Sequence, residues 1–490
     1  MKYESVIGLE THVQLKTKSK MFSSSSALYQ SAPPNTMVDA VTLALPGTLP
    51  VVNKQAVKDA IAIGLSLNCS IREITKFDRK QYTYPDLMKG YQISQFDEPI
   101  CFGGYIDLPV TPPLRIRINR VHMEEDVARL IHVDGPEGGT MHSLMDVNRA
   151  GAPLMEIVTE PDMRTSDQVS LYISSLQQII RYLGVGTANM EEGSFRCDAN
   201  ISVREFGTTE LTTKVEVKNM NRLKAVTRAI DFEIERQIKK IESGEKIIQE
   251  TRGWVDGEGK TVSQRSKEEA HDYRYFPEPD IPPLKIHKSW MSEIKTKLPE
   301  LPLARKRRFE DDLDLSPYDT ELLTVQKDTA DFFEEVVSHM PIKSESSKNK
   351  FAKEAANWIN GEISRYMNNN DVHSILKIPI SSLKLAILIE KFMNREINNN
   401  SAKKVFEIMW SSGKDPNDIV NDLNLNTVSD SETLSIVIEK IISNNPSAVT
   451  DFKSGKDSAI KYLMGQLMKE TKGQADPKQS IEIIRSKLTA

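Results

Sequence analysis

Cysteine is scarce in this sequence. The chain has 490 residues but only three cysteines, Cys69, Cys101 and Cys197, and none is a near neighbour of another. A disulfide framework uses more cysteines, and a Cys-rich zinc site needs them at short spacings, so the sequence argues against both. Sparse cysteines are typical of proteins that stay in a reducing cytosol.

Bulk positive charge and long apolar runs are missing as well. The formal net charge is −5, which argues against a protein that holds nucleic acid through a broad positive field; any RNA contact must come from local patches. No apolar run approaches the ~20 residues of a membrane helix, and the first residues do not resemble a secretion signal. We therefore expect an intracellular protein with no membrane partner, in a bacterial cytoplasm or in an organelle.

The familiar nucleotide and nucleophile motifs are also absent. Residues 253–261 resemble a phosphate-binding loop, but the glycine spacing is one residue too long and no apolar helix follows. The stretch is better interpreted as a hairpin turn at residues 256–259 between two strands. There is no Gly-x-Ser-x-Gly elbow, no dinucleotide fingerprint and no cysteine in a nucleophile context. Covalent acyl chemistry would need a nucleophile from another chain.

Polar residues on strand-like backbone are what the sequence does contain. Along residues 6–15, alternation places Glu10 and His12 on one face and apolar residues on the other. Along residues 194–204 the division is cleaner, because Asp198 belongs to a wholly polar face opposite a wholly apolar one. Both stretches predict half-buried strands whose polar faces look onto solvent or a site.

A third stretch, residues 122–126, adds more carboxylates, and Glu191 and Glu192 precede the second strand. Clusters of carboxylates with at most one imidazole suit Mg²⁺ or Mn²⁺. The alternative is that each cluster is a solvated face of an antiparallel sheet, and for Glu10 and His12 alone the two interpretations are evenly balanced. Three coincident clusters favour a cation site in the N-terminal half.

Helical patterns divide the chain into two kinds of region. Up to about residue 285 it is rich in Gly, Pro and short alternating runs, with two long helices among them, which predicts an α+β domain. One helix is predicted after Thr165, where Gln168 can complete a capping box, and ends before Gly184. The other covers about residues 223–241. Beyond the Pro-rich residues 277–283, apolar residues recur at helical spacing and predict an all-helical remainder.

Long stretches of the sequence resemble those of the B subunits of the GatCAB glutamyl/aspartyl-tRNA amidotransferases. The resemblance extends from the first residues to the last. The matching stretches include residues 6–13 (VIGLETHV), 91–97 (YQISQFD), 122–126 (HMEED), 150–158 (AGAPLMEIV) and 190–194 (MEEGS).

One departure from the family pattern follows Asp126. The family commonly continues with Ala-Gly-Lys, whereas this chain has Val127, Ala128 and Arg129. The missing glycine bears on the backbone there, although Arg129 keeps the charge.

The resemblance implies an α+β fold and three domains. These are an antiparallel-sheet-rich cradle catalytic domain in residues 1–295, an all-helical domain in 296–408 and a small helical tail similar to the YqeY proteins in 409–490. The tail would contact the body of the tRNA. The densest basic run, residues 305–308 (RKRR), is more often a solvated helix face than an RNA contact.

The activity that the resemblance implies is amidation of a misacylated tRNA. ATP would activate the side-chain carboxylate of tRNA-bound Glu or Asp to an acyl phosphate, and ammonia would displace the phosphate. A partner amidase would release that ammonia from glutamine, and a small third protein of the heterotrimer would wrap around the other two. The nucleophile missing from this chain agrees with that division of labour. Whether Glu-tRNA, Asp-tRNA or both are substrates depends on which synthetases coexist in the cell.

The resemblance also assigns the site residues. Phosphoryl transfer to a carboxylate brings anions together, so Mg²⁺ and a cationic side chain must neutralise charge. Strict alternation along the strand places Glu124, not Glu125, beside His122, so the choice of Glu125 rests on the resemblance. A structural ion-pair role is the alternative for Glu156. The implied metal ligands are Glu10, His12, Glu125, Glu156 and Asp198; the implied ATP-binding residues are Arg196 and Lys80, which with Glu125 form the catalytic set.

Two other functions compete with this one. The chain could be a tRNA-docking scaffold without catalysis, but the carboxylates concentrated in its first 200 residues argue against that. It could also be a free-standing metal-dependent hydrolase, which would leave the long helical tail without a purpose. Copurification with an amidase would separate these hypotheses.

Overall fold

The chain forms two compact units, Met1–Leu303 and Ala304–Ala490. Each has its own apolar core. The computed structural model describes residues 2–110, 112–134, 140–266, 273–340, 345–423, 425, 431–453, 456, 458–471, 475 and 477–489.

A nine-stranded sheet dominates the first unit. All neighbouring strands are antiparallel except one pair, β12 with β13. In spatial order the strands are β14 (Lys260–Ser266), β13 (Glu250–Val255), β12 (Val215–Lys218), β11 (Phe195–Glu205), β1 (Tyr3–Gln14), β10 (Pro153–Thr159), β7 (Leu114–Glu125), β6 (Cys101–Leu108) and β2 (Ser70–Ile71). The predicted strands are β1 and β11, and the predicted hairpin turn joins β13 to β14.

Three small sheets accompany the large one. The first contains β15 (Phe276–Pro277), β4 (Asp78–Gln81) and β5 (Tyr91–Ser94), in that order. The second pairs β3 (Ile74–Thr75) with β16 (Leu284–Lys285), and the third pairs β8 (Arg129–Asp134) with β9 (Thr140–Asp146).

The helices of the first unit cover one face of the large sheet. They are α1 (Lys54–Ser66), α2 (Ser166–Leu183), α3 (Leu223–Glu242) and α4 (Lys288–Thr296). The apolar residues Ile7 and Leu9 of β1 are buried in the same core as Tyr172 of α2. Because side chains alternate along a strand, Glu10 and His12 of β1 point to the opposite face. The helices therefore leave that face available for a site.

Both predicted helices are present, and α2 begins and ends at the predicted residues. The Thr165 side chain accepts a hydrogen bond from the backbone N–H of Gln168 at the start of α2. Gly184 ends α2 at a φ of 69°, a left-handed conformation that glycine adopts without strain. The Gln168 side chain does not close the capping box on Thr165, since it accepts instead from the Arg164 N–H.

Helices build the second unit, as the sequence predicts. They are α5 (Pro302–Leu313), α6 (Pro317–Thr324), α7 (Lys327–Ser338), α8 (Glu345–Asn357), α9 (Ser364–Asn369), α10 (Ser382–Met393), α11 (Asn399–Ser412), α12 (Pro416–Asp422), α13 (Ser431–Asn444), α14 (Pro446–Lys453), α15 (Ser458–Glu470) and α16 (Pro477–Thr489). A π-helical stretch, Trp358–Ile363, joins α8 to α9, and short 3₁₀ turns cover Val147–Arg149 and Ile375–Lys377.

The second unit has two separate apolar clusters. One runs from Phe309 to Leu425, and the other from Leu434 to Leu488. The predicted boundary between residues 408 and 409 falls inside α11, where Met409 is buried in the first cluster. The three-domain division stays a prediction.

The basic run at residues 305–308 is engaged within the chain. It lies on α5, and the Arg305 side chain is only 5% exposed, with its Nη1 2.6 Å from Asp331 Oδ1. Lys306 pairs with Glu321. Acidic residues of neighbouring helices thus neutralise much of the run, which is neither a fully solvated face nor a free RNA-binding patch.

Among the described residues, no helix combines the length and the apolar character needed to cross a membrane.

Candidate functional site

Four neighbouring strands bring polar residues together on the face without helices. Directly opposite residues of an antiparallel pair point to the same side. His12 of β1 lies opposite Glu156 of β10, which in turn lies opposite His122 of β7. Glu10 of β1 lies opposite Asp198 of β11. A row of carboxylates and imidazoles therefore crosses the centre of the sheet.

His12, Glu124 and Glu156 form the tightest group in this row, and we call it the acidic triad. One potential ligand atom from each lies within 4.8 Å of the others, and no second group of this kind occurs in the described part of the chain. His12 Nε2 lies 3.3 Å from Glu156 Oε2. His122 Nε2 lies 3.2 Å from Glu124 Oε1 and 3.6 Å from Glu156 Oε2. Two carboxylates and an imidazole form a donor set that fits Mg²⁺ or Mn²⁺.

Hydrogen bonds from β5 fix the Glu124 carboxylate. Ser94 Oγ donates to Glu124 Oε1 at 2.7 Å, and Gln92 Nε2 donates to Glu124 Oε2 at 3.2 Å. Both donors are buried, and the Glu124 side chain is only 3% exposed. The carboxylate is therefore held in one orientation before any ligand arrives.

Opposite charges keep the buried groups ionised. Burial raises the pKa of Glu156, but the neighbouring His122 and His12 outweigh it and hold that pKa well below its usual value. Burial likewise lowers the pKa of Lys80, but the charges of Glu124 and Glu156 leave it above the ordinary range. A cation beside two adjacent carboxylates is thus favoured at neutral pH.

Two cavities meet at the acidic triad. The larger has a volume of about 880 Å³ and the smaller about 260 Å³. His12, Glu124, Lys80 and Lys218 line both. The larger cavity alone is also lined by Arg129, Arg149 and Arg196, and the smaller alone by Glu10, Arg120, Glu156, Phe96, Tyr273 and Tyr275.

Comparison with known proteins identifies the family. A model of the GatB/GatE catalytic domain matches residues 5–292, and a model of the GatB domain matches residues 331–488. The chain belongs to the GatB family. This confirms the resemblance found in the sequence.

Full-length relatives agree with the family match. All are named as B subunits of aspartyl/glutamyl-tRNA(Asn/Gln) amidotransferases. The protein from Dehalococcoides mccartyi (strain CBDB1) is 50% identical over 489 residues, 99% of both chains. That from Carboxydothermus hydrogenoformans is 47% identical over 487 residues, 99% of both chains, and that from Herpetosiphon aurantiacus is 46% identical over 494 residues, 100% of both.

Two metal ligands implied by the GatB resemblance lie beside the acidic triad. Asn200 Nδ2 donates to Glu10 Oε1 at 2.9 Å. Lys218 Nζ donates to Asp198 Oδ2 at 3.0 Å. Glu10 and Asp198 share the polar face but are outside the group of three, so their role as ligands stays a prediction.

Glu125 lies apart from the other predicted ligands. As the next residue along β7 it points to the opposite side from Glu124. Its Oε1 accepts a hydrogen bond from the Ile93 N–H at 3.1 Å and pairs with Lys89. The geometry therefore favours Glu124 over Glu125 as a metal ligand, as strand alternation indicates, and the choice of Glu125 stays a prediction.

The two predicted phosphate-binding cations occupy different places. Arg196 pairs with Asp126, whose charge raises the pKa of the guanidinium, and its side chain is 39% exposed in the larger cavity. Lys80 stands where the two cavities meet, with its Nζ 5.1 Å from the centre of the Tyr273 ring. Lys80 is the more central of the two.

Sequence reasoning missed several residues that line the cavities. Arg120 is in alternation with His122 and Glu124, so the strand pattern could have found it. Lys218 and Arg149 had no comparable signal, because each reaches the site from a separate strand or turn. Ala128, which replaces the family glycine, has no positive φ, and Arg129 beside it still lines the larger cavity.

Proposed function

We propose that the chain activates and amidates the side-chain carboxylate of misacylated Glu-tRNA(Gln) or Asp-tRNA(Asn), with ATP and ammonia as the other reactants and Mg²⁺ as the cofactor. The names of its full-length relatives support this reaction. The observation that carries the proposal is the position of Lys80 and the acidic triad at the meeting point of two cavities. A reaction that joins two anionic substrates needs such a cationic meeting point.

The larger cavity suits ATP. Its volume of about 880 Å³ is in the range of nucleotide-sized pockets. Arg129, Arg149 and Arg196 line it, and guanidinium groups match phosphate oxygens with two parallel hydrogen bonds. ATP bound there would extend its terminal phosphate toward Lys80, where the carboxylate of the aminoacyl group would meet it.

The proposed Mg²⁺ ligands are His12, Glu124 and Glu156. Glu10 and Asp198 remain candidates for a second ligand set beside them. When bound, Mg²⁺ would neutralise charge on the phosphoryl oxygens. Lys80 would stabilise the negative charge that both anions bring, and the hydrogen bonds from β5 would keep Glu124 in place.

Ammonia would come from a partner. Cys69, Cys101 and Cys197 are all buried, and burial raises the pKa of Cys69 to about 12, so none resembles an activated thiol. A partner amidase would release ammonia from glutamine, with a small third protein completing a heterotrimer. Unpaired cysteines also support a location in a reducing cytoplasm.

The test separates the two half-reactions. A complex with a dead nucleophile in its amidase should convert Glu-tRNA to Gln-tRNA with ATP, Mg²⁺ and an ammonium salt, and should fail with glutamine. The rate should increase as pH approaches the pKa of ammonium, because only neutral ammonia attacks an acyl phosphate.

Lys80→Ala in a complex whose amidase is intact provides the contrast. It should lose the ammonium reaction while an intact amidase still hydrolyses glutamine. Full activity of Lys80→Ala, together with an inert amidase-dead complex, would place the activation chemistry on another chain.

A further inference from the structure

Aromatic side chains form one wall of the smaller cavity. The rings of Phe96 and Tyr275 are parallel, with centroids 4.3 Å apart and an angle of 7° between their planes. Tyr273 stands edge-on to Tyr275 at 6.1 Å and 69°. Phe96 is nevertheless 49% exposed. The stack is thus partly open to a further ring on the Phe96 side.

The backbone beneath this wall is firmly anchored. The Phe96 N–H donates to Asp78 Oδ2 at 2.9 Å, and Lys76 bonds to the other oxygen of Asp78 at 2.7 Å. On the other side, Phe276 pairs with Arg79 across β15 and β4. The two rings are therefore positioned by a small sheet before any ligand binds.

A further anchor lies under the Tyr275 side of the wall. Arg79 forms two hydrogen bonds with Glu278, of 2.8 and 2.9 Å. Glu278 is buried, so this paired interaction fixes the chain that follows Tyr275. The wall can act as a rigid surface and not as a mobile flap.

The charges around the wall argue against a triphosphate. Four carboxylates line the smaller cavity against three cationic side chains, so the lining has no excess of positive charge. The carboxylates are those of Glu10, Glu124, Glu156 and Glu216, and the cations are Lys80, Arg120 and Lys218. The larger cavity has three arginines, whose paired N–H groups suit phosphate oxygens, whereas the smaller has Arg120 alone. The smaller cavity therefore favours a flat, uncharged ring.

The volume of the smaller cavity indicates what kind of molecule carries this ring. About 260 Å³ is less than the ~300–1,000 Å³ of pockets that enclose a whole small ligand. It fits the end of a larger molecule whose remainder lies outside. Nucleobases stack on aromatic side chains in just this manner.

We propose that Phe96 and Tyr275 form a stacking platform for the 3′-terminal nucleobase of the aminoacylated tRNA. With that base on Phe96, the aminoacyl group on the adjoining ribose would be directed toward Lys80 and the acidic triad, which border the same cavity. The platform rests on the proposed function, because it needs an aminoacyl-tRNA as substrate. Its role is to position the substrate and not to take part in bond making.

Single substitutions in the full heterotrimeric complex give the first test. Phe96→Ala should raise the KM for Glu-tRNA roughly 10- to 100-fold, since base stacking on an aromatic residue is worth about that factor. The KM for ATP and the hydrolysis of glutamine should not change. Phe96→Tyr should restore tight tRNA binding. Phe102→Ala is the matched control, because Phe102 is similarly exposed, at 40%, but lies outside both cavities.

A substrate change gives the second and sharper test. Glu-tRNA with an abasic 3′-terminal nucleotide should bind the wild-type complex about as weakly as normal Glu-tRNA binds Phe96→Ala. Combining the two changes should cost no more than either alone, because both remove the same contact. Tyr275→Leu should behave like Phe96→Ala, and its folding can be checked by circular dichroism and by retained glutamine hydrolysis.

Three results would overturn the platform. They are additive effects of Phe96→Ala and the abasic end, a raised KM for ATP with unchanged tRNA binding, or no change in any Phe96 or Tyr275 variant. In all three, a wild-type complex that still amidates Glu-tRNA leaves the proposed function standing. A wild-type complex that cannot amidate Glu-tRNA would instead remove the proposed function itself.

Discussion

Glu124 and Glu125 are neighbours in sequence with opposite surroundings. Glu124 belongs to the acidic triad, whereas Glu125 pairs with Lys89 on the other side of β7. Glu124→Gln should raise the Mg²⁺ concentration needed for half-maximal amidation at least ~10-fold, because a charged ligand is lost.

Glu125→Gln is the internal control for that substitution. It should leave the Mg²⁺ requirement unchanged, whatever it does to the rate, and Mg²⁺ titrations of both variants under ammonium-dependent conditions compare them directly. An increased Mg²⁺ requirement in Glu125→Gln alone would restore the ligand assignment made from the resemblance.

Asp59 is a buried carboxylate on α1, and it should cost stability at neutral pH. Burial raises its pKa to about 6, although Gln55 Nε2 donates to it at 2.7 Å. A folded pKa above the unfolded value means that the native state binds the proton more tightly. The stability that comes from protonated Asp59 is therefore fully present at low pH, below the unfolded pKa, and is lost as the pH rises through about 6.

Asp59→Asn should remove this penalty while keeping an acceptor for Gln55. Its free energy of unfolding should exceed that of the wild type by roughly 1–2 kcal/mol at pH 7. Urea unfolding at several pH values would measure this difference, which should shrink toward pH 4. Equal stability at pH 7 would mean that Asp59 is solvated.

Individual residues also show how far sequence reasoning reaches. Alternation within β1 correctly placed Glu10 and His12 on one face, and alternation within β11 placed Asp198 on a polar face. Alternation within β7 likewise favoured Glu124 beside His122. These relations are local, so a period of two is enough to predict them.

The remainder of the site depends on pairing between distant segments. The aromatic wall exists because β15 pairs with β4, which lies nearly 200 residues earlier. Nothing in either short segment specifies its partner, since register comes from the packing of the whole unit. The strand order of the large sheet could not be predicted from the sequence for the same reason.

At the level of elements, substitution of Gly184 tests why α2 ends where it does. A Cβ built at Gly184 would meet nothing within 4 Å, so the backbone conformation is the only obstacle to a side chain there. Gly184→Ala should destabilise the first unit by ~1–2 kcal/mol, because a left-handed alanine is strained.

Gly184→Asn should cost clearly less, because asparagine tolerates the left-handed region. Thermal unfolding of the two variants, monitored alongside the wild type, gives the order of stability. Equal losses for alanine and asparagine would show that chain conformation is not what selects glycine at this position.

At the scale of the whole molecule, the two clusters of the second unit suggest where the chain can be shortened. Ending it after Leu425 keeps the cluster from Phe309 to Leu425 intact, whereas ending it at residue 408 removes Met409, Ile419 and Val420 from that cluster. The longer fragment should remain folded and keep ammonium-dependent chemistry, but bind tRNA more weakly.

The shorter fragment should lose several kcal/mol of stability, since each deleted core side chain costs ~2–5 kcal/mol. Limited proteolysis and tRNA-binding titrations of both complexes test these expectations. If the longer fragment binds tRNA with unchanged affinity, residues 426–490 do not contribute to tRNA binding and have another role.

The central position of β1 has a consequence for how the chain folds during synthesis. β1 leaves the ribosome well before β10 and β11, the two strands that flank it in the sheet, which begin at Pro153 and Phe195. At the usual rate of translation, β1 therefore waits on the order of 10 s with its apolar side chains uncovered. Nascent chains stalled before β10 should be protease-sensitive throughout and bind chaperones, whereas chains that extend past β11 should acquire a protected N-terminus. The strand that places His12 at the centre of the site is thus made long before the strands that hold it there.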